Sequence, residues 1–278
     1  MNPHLRLILT WVLAVPVALV LLIAVVRRLA PLFAFFPTPG ESVTPRDLGV
    51  EYETITVGTD DGERLHGWWL AGPGGRANIL YFHGNGGNLS VWAPILTAVA
   101  RRTYNVLAFD YRGYGLSTGR PTEPGLYRDV EATVERFPRV AQSGLPVIYW
   151  GRSLGVVMAA YAAAVRTPDG LILESGFPDA RSLVRDSPLL TLLARVSRYR
   201  FPAAEFLGRM RRPVPVLVLH GDDDHVVPIG QGRALFDAIA GPKRFVTIRR
   251  GDHNDLSPSE PERYWEEVDR FIRSLGSG

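Results

Sequence analysis

The stretch GRSLG at residues 151–155 follows the apolar run LPVIYW and sets Ser153 between two glycines, each two positions away. A serine hydroxyl is a weak nucleophile until a neighbouring base takes its proton. Gly-x-Ser-x-Gly at a strand-to-helix turn suits that chemistry, because the serine must take a strained backbone conformation to project its hydroxyl clear of a sheet. Glycine at 151 and 155 removes side chains where strand and helix would otherwise collide. The start of the following helix brings amide N–H groups beside the serine, and Leu154, next in the chain, offers one to a developing oxyanion. The same five residues also fit an ordinary turn, so the base and its orienting carboxylate decide the matter.

Both residue types follow downstream. LHGDDDHVVP (219–228) offers Asp222, Asp223 and Asp224 just past an apolar run, and RGDHNDL (250–256) carries His253 in the same relation to the next run. His253 has few competitors as the base. His83 and His220 each sit in a His-Gly turn and read as structural, His225 lies beside the acidic triplet, and His4 and His66 have no partner in the pattern. The glycine-rich HGNGGN (83–88) lacks the Lys-Ser/Thr of a nucleotide-phosphate loop. With no cysteine in the chain, a thiol nucleophile, a disulfide and a Cys-ligated metal are excluded.

These residues need a scaffold that delivers them to one edge. Strand-like runs fall near 51–57, 64–71, 77–83, 104–110, 145–151, 170–175, 214–220 and 244–249. From 77 onward most are continuously apolar, as parallel strands buried on both faces are. Helical periodicity separates them, near 124–137 and 260–275 for example. The fold class is therefore α/β, a mostly parallel sheet of about eight strands flanked by helices, with candidate sites beyond the C-terminal strand ends. Almost forty residues lie between the runs at 170–175 and 214–220, rich in leucine and arginine; 176–212 are expected to form a mostly helical cap insertion.

The 278 residues carry a formal net charge of +3, almost all of the positive charge being arginine, with no basic block of the kind that binds nucleic acid. Residues 7–26 are uncharged and long enough to span a bilayer, about 20 apolar residues being needed. A cleaved signal peptide would have a shorter apolar core and a small-x-small site before Arg27 and Arg28. Residues 1–30 are thus expected to be an uncleaved single-pass transmembrane anchor, 31–49, with four prolines, an extended stalk, and 50–275 the catalytic-type domain. Arg6 and the α-amine on one side balance Arg27 and Arg28 on the other, so charge does not choose the side of the membrane that carries the domain.

The chain resembles the α/β-hydrolase fold family, specifically membrane-anchored serine hydrolases related to the acyl-protein thioesterase-like (depalmitoylase) branch. The resemblance rests on YFHGNGGNLS (81–90), FDYRGYGLSTG (109–119), GRSLG, HGDDDHVVP (220–228) and GDHND (251–255), over roughly residues 50–275. It implies Ser153 as nucleophile, Asp224 rather than Asp222 or Asp223 as triad acid, and His253 as base. It also implies an oxyanion hole from the backbone N–H groups of Asn85 and Leu154, with no chemistry assigned to DYRGYG (110–115). The implied activity is hydrolysis of a carboxylic ester or thioester, of a small molecule, a lipid or a lipidated protein, with no metal or organic cofactor. A serine peptidase or amidase of the same fold, and a catalytically silent membrane-tethered module, are the alternatives; oligomeric state is left open.

Overall fold

The computed structural model describes residues 3–185, 188–197 and 199–276. Met1 and Asn2 of the expected anchor and three positions of the expected cap (186, 187 and 198) lie outside the described residues.

An eight-stranded sheet forms the centre. In chain order its strands are β2 (Glu53–Gly58), β3 (Arg64–Leu70), β4 (Asn78–Phe82), β6 (Asn105–Phe109), β7 (Val147–Arg152), β8 (Gly170–Glu174), β9 (Val216–Gly221) and β10 (Lys243–Ile248). Their spatial order is β10-β9-β8-β7-β4-β6-β3-β2. All neighbours pair in parallel except β3, which is antiparallel to both β2 and β6. The burial follows from position. Every residue of β4, β6, β8 and β9 is buried, whereas the edge strand β2 alternates buried and exposed along its middle. From β4 the chain passes first to β6 on one side and then to β7 on the other. That reversal opens a crevice at the C-terminal strand ends, where open α/β sheets hold their sites.

Helices cover both faces. On one lie α3 (Glu123–Arg136) and α4 (Leu154–Val165); on the other, α2 (Leu89–Arg101) and α9 (Pro261–Leu275). Helix α4 is apolar all round and correspondingly buried, its alanines 159, 160, 162 and 163 letting it press against β7, β4 and α3. Helix α9 is amphipathic and buries Tyr264, Trp265, Val268, Phe271 and Ile272. Past β9 come α7 (Ile229–Ala238) and, after β10, the short α8 (Leu256–Ser259).

The N-terminal region departs from the expected boundaries. Helix α1 runs from Pro3 to Ala34, beyond the anchor boundary at residue 30, with Pro16 and Pro31 inside it. Pro31 costs one amide bond near the end of the helix, and its own carbonyl accepts from the Phe35 amide at 3.1 Å. From Trp11 to Leu32 no residue of the helix is buried, and by length and composition it could cross a membrane. The segment after it is extended, as its prolines dictate, but it is no free stalk. β1 (Phe36–Pro37) pairs in parallel with β5 (Gly86–Gly87), and Pro39 bridges to Gly115. Phe35 is buried edge-on against Tyr199 and Phe201, at ring distances of 5.6 and 6.0 Å. Proline removes intra-segment helix bonds; the remaining donors and acceptors find partners on the domain instead.

Among the described residues of 176–212 there are two α-helices, with different fates. α6 (Ala203–Gly208) packs on α4 and sinks Ala203, Phe206 and Leu207 into the core. α5 (Pro188–Ser197) packs instead along α1.

Candidate active site

Strand β7 ends at Arg152 and α4 begins at Leu154, so one residue makes the turn. That residue is Ser153, with φ +55° and ψ −117°, a conformation that a non-glycine residue rarely adopts. Its amide donates to the Glu174 carbonyl at 2.9 Å. The flanking glycines are sterically required. A Cβ on Gly151 would lie 2.1 Å from the Gly155 carbonyl oxygen, and one on Gly155 would lie 1.9 Å from that of Phe82.

The C-terminal strand ends bring the other residues in. The loop after β10 carries His253, whose Nε2 lies 3.0 Å from Ser153 Oγ and whose Nδ1 lies 2.8 Å from Asp224 Oδ2. Asp224 sits in the loop after β9, and its other oxygen accepts the amides of Val226 and Val227 at 3.0 and 2.7 Å. Burial pushes this carboxyl up, but hydrogen bonds from His220, His253 and the Val227 amide outweigh it and hold Asp224 well below the usual carboxylate range. Its two neighbours turn elsewhere. Asp222 accepts the Arg250 amide at 2.6 Å, and Asp223 faces His225 at 3.3 Å in solvent. His220 is buried, with Nε2 2.8 Å from the Val227 carbonyl, where it braces the Asp224 loop.

The loop 83–88 passes directly over the serine turn; the Gly155 Cβ position that clashes with Phe82 also lies 2.8 Å from the His83 carbonyl. Leu154 is the first residue of α4, so its N–H has no acceptor within the helix. Asn85 is pinned through its other groups. Its Nδ2 donates to the Ala34 carbonyl at 2.8 Å, and its carbonyl and Oδ1 both accept from Tyr114 Oη, at 3.1 and 2.9 Å. The expected oxyanion donors thus belong to adjoining backbone segments, one opening α4 and the other tied to the end of α1.

Several supporting residues escape a sequence reading. DYRGYG builds the wall behind the 83–88 loop: Tyr111 Oη donates to the His83 carbonyl at 3.0 Å, and Asp110 Oδ1 accepts the Leu89 amide at 2.9 Å. Burial pushes Asp110 up to about 8 against the pull of the Leu89 amide, and burial lowers His83 to about 4. The two face each other at 3.6 Å. Arg152, the variable residue before the serine, is 5% exposed, and its Nη2 donates to the His253 carbonyl at 2.8 Å. A charged residue in an otherwise apolar strand was the only signal for it. His66, without a partner in the sequence pattern, meets Glu41 of the N-terminal segment at 2.9 Å. Among the described residues no group of three or more His, Asp or Glu is arranged to hold a metal ion.

Fold and sequence agree on the class. Residues 77–203 match the family model of the alpha/beta hydrolase fold. The chain belongs to this family. It is 31% identical over 243 residues to Rv2307c of Mycobacterium tuberculosis, covering 86% of this chain and 85% of that one. It is 30% identical over 257 residues to YfhR of Salmonella typhimurium, covering 86% and 84%. The Saccharomyces cerevisiae membrane protein YNL320W is 28% identical over 239 residues, with 84% of each chain covered. Among solved structures, the Pyrococcus furiosus esterase Pf2001 superposes with a TM-score of 0.68 at 20% identity, over 86% of this chain and 97% of that one. The esterase RhEst1 from Rhodococcus sp. ECU1013 gives 0.61 at 20% identity, over 80% and 99%. At such identities these structures establish the common fold.

Proposed function

We propose that the protein is a membrane-anchored serine hydrolase that cleaves carboxylic ester or thioester bonds through an acyl-serine intermediate. The observation that carries this reading is the imidazole of His253, which spans Ser153 Oγ at 3.0 Å and Asp224 Oδ2 at 2.8 Å. The esterases that share the fold support ester chemistry, and the sequence motifs favour the acyl-protein thioesterase-like branch.

Ser153 Oγ attacks the acyl carbonyl while His253 Nε2 takes its proton. Asp224, held ionised, fixes the imidazole with Nδ1–H toward itself and stabilises the imidazolium. The tetrahedral oxyanion is met by the N–H groups of Leu154 and Asn85, a single such donor being worth about 3 kcal/mol. His253 then protonates the leaving alcohol or thiol, and water attacks the acyl-serine with His253 again as base. Each step uses groups of this chain, substrate and water. The apolar helix α1 serves as the anchor.

The test is fluorophosphonate labelling of residues 28–278 with peptide mapping, beside turnover of short acyl esters and thioesters. Modification confined to Ser153, and loss of both labelling and turnover in Ser153→Ala and His253→Ala variants that remain folded, is the expected result. Full turnover in either variant overturns the assignment. Faster cleavage of aminoacyl amides than of esters would reassign the protein as an amidase.

A further inference from the structure

Helix α5 presents its side chains the wrong way for a surface helix in water. Thr191 and Ala194 are partly covered, whereas Leu192 and Leu193 are 58% and 39% exposed. A helix that turns leucines outward is favourable where its surroundings are themselves apolar. Its neighbour is α1, the exposed apolar helix. On α1 the partly covered positions in this stretch are Ile23, Val26 and Ala30, one face by their spacing, and Arg27 Nε donates to the Val196 carbonyl at 3.2 Å. The two helices therefore share the level of residues 23–30, where α1 reaches its first charges after the uncharged run.

A cleft of about 620 Å³ opens at that level, lined by Arg27, Arg200 and Arg209 together with Glu123, Glu205, Tyr127 and other residues of the α3 and α6 ends. Its carboxylates are already engaged. Glu123 accepts the amides of Arg200 and Phe201, both at 2.7 Å, and Glu205 is shared by Arg200 and Arg209. Arg27 has no carboxylate partner among the described residues. The cleft thus keeps an uncompensated positive charge at the height where lipid headgroups surround a spanning helix.

We propose that this face, α5 with the arginine-lined cleft, docks on the bilayer leaflet from which α1 emerges. Leu192 and Leu193 enter the acyl region, and Arg27 meets the phosphate of an anionic phospholipid. The inference rests on the reading of α1 as a membrane anchor, and it gives the proposed hydrolase a fixed stance. From Arg27 to Ala34 is about 10 Å at 1.5 Å per helical residue, and the Ala34 carbonyl holds the Asn85 side chain. The site is then held a helix turn or two above the headgroups, facing acyl groups presented at a membrane surface.

The chain has no cysteine, so single-cysteine variants of the full-length protein need no background removal. Nitroxides at Val20→Cys (anchor), Leu192→Cys (docking face) and Val165→Cys (end of α4, away from the serine turn) are read in nanodiscs of phosphatidylcholine alone or mixed with phosphatidylglycerol. The readout is accessibility to oxygen against a water-soluble nickel chelate. Leu192 is expected to match Val20, accessible to oxygen and protected from nickel, with Val165 showing the reverse. Phosphatidylglycerol should move Leu192 deeper, and Arg27→Gln should abolish that shift. Leu192 behaving like Val165 while Val20 stays in lipid overturns the docking and leaves the anchor standing; nickel access at Val20 overturns both. Spin–spin broadening at Leu192 without oxygen access assigns the face to a second copy, and no response to phosphatidylglycerol removes the anionic lipid; either result overturns the proposal. Fluorophosphonate labelling of Ser153 in the same samples reads the hydrolase assignment separately.

Discussion

Removing the N-terminal segment up to residue 49 leaves the sheet intact and should still disable the site. Five side-chain hydrogen bonds tie residues 34–43 to the loop that carries Asn85. Ala34 accepts from Asn85, Thr38 and Gly40 accept from Asn88, and the amides of Ser42 and Val43 donate to Ser90 Oγ. The β1–β5 pairing and the Thr38 amide bond to the Gly87 carbonyl at 2.9 Å add backbone ties. At about 1 kcal/mol each, the side-chain bonds contribute roughly 5 kcal/mol. Ordering ten residues costs at least that much, so global stability should change little. The loop itself is different. Without the segment Asn85 keeps only its Tyr114 contacts and Gly86 and Gly87 lose their strand partner, and re-ordering these three residues costs about 3–6 kcal/mol. Loss of an oxyanion donor is independently worth about 3–4 kcal/mol, or 10²–10³ in rate. Both routes give a drop of at least about 100-fold in the second-order rate of fluorophosphonate labelling for residues 50–278 relative to 28–278. Thermal melts of both proteins establish that each is folded. Equal labelling rates would refute the argument that this segment holds the oxyanion loop in place.

Gly155→Ala places a Cβ 1.9 Å from the Phe82 carbonyl oxygen, so the serine turn or β4 must move by about 1 Å; ester turnover should fall about 100-fold, and near-normal kcat would show that the turn can relax. Arg152→Lys keeps the charge but loses the Nη2–H that donates to the His253 carbonyl. A bond of this type is worth about 1.5–3 kcal/mol, so kcat should fall roughly 10- to 100-fold with KM unchanged, and a change confined to KM would place Arg152 in substrate binding instead. Asp224 is held below the ordinary carboxylate range in the folded protein. It therefore contributes stability that is present above about pH 3.9 and is lost as pH falls toward its folded value. Thermal melts of Asp224→Asn should lose less on going from pH 6 to pH 3 than those of the parent chain, and parallel acid limbs would contradict the assignment.

Much of this protein is legible in one dimension because its chemistry sits at strand ends. The runs at 77–83, 104–110 and 170–175 appear as β4, β6 and β8 within a residue or two, since a strand buried on both faces must be apolar throughout. Gly151 and Gly155 announced the serine turn because no side chain fits between α4 and the backbone of β4 and β7. Ionisation chemistry in the local sequence does not separate three adjacent aspartates; the resemblance of HGDDDHVVP to the family pattern singles out Asp224, and the register that sets the loop after β9 against the loop after β10 brings it to His253. Local sequence could not foresee Arg152 beneath His253, Tyr114 on Asn85, or the proline-rich segment strapped over the oxyanion loop. Proline says only that a segment is extended; where its unspent carbonyls find donors depends on residues fifty positions away. The order of strands and helices and the residue types at their ends are written along the chain, because burial and turn sterics act locally. Tertiary structure decided which of those ends meet, because hydrogen-bond partners distant in sequence become neighbours only when the sheet is assembled.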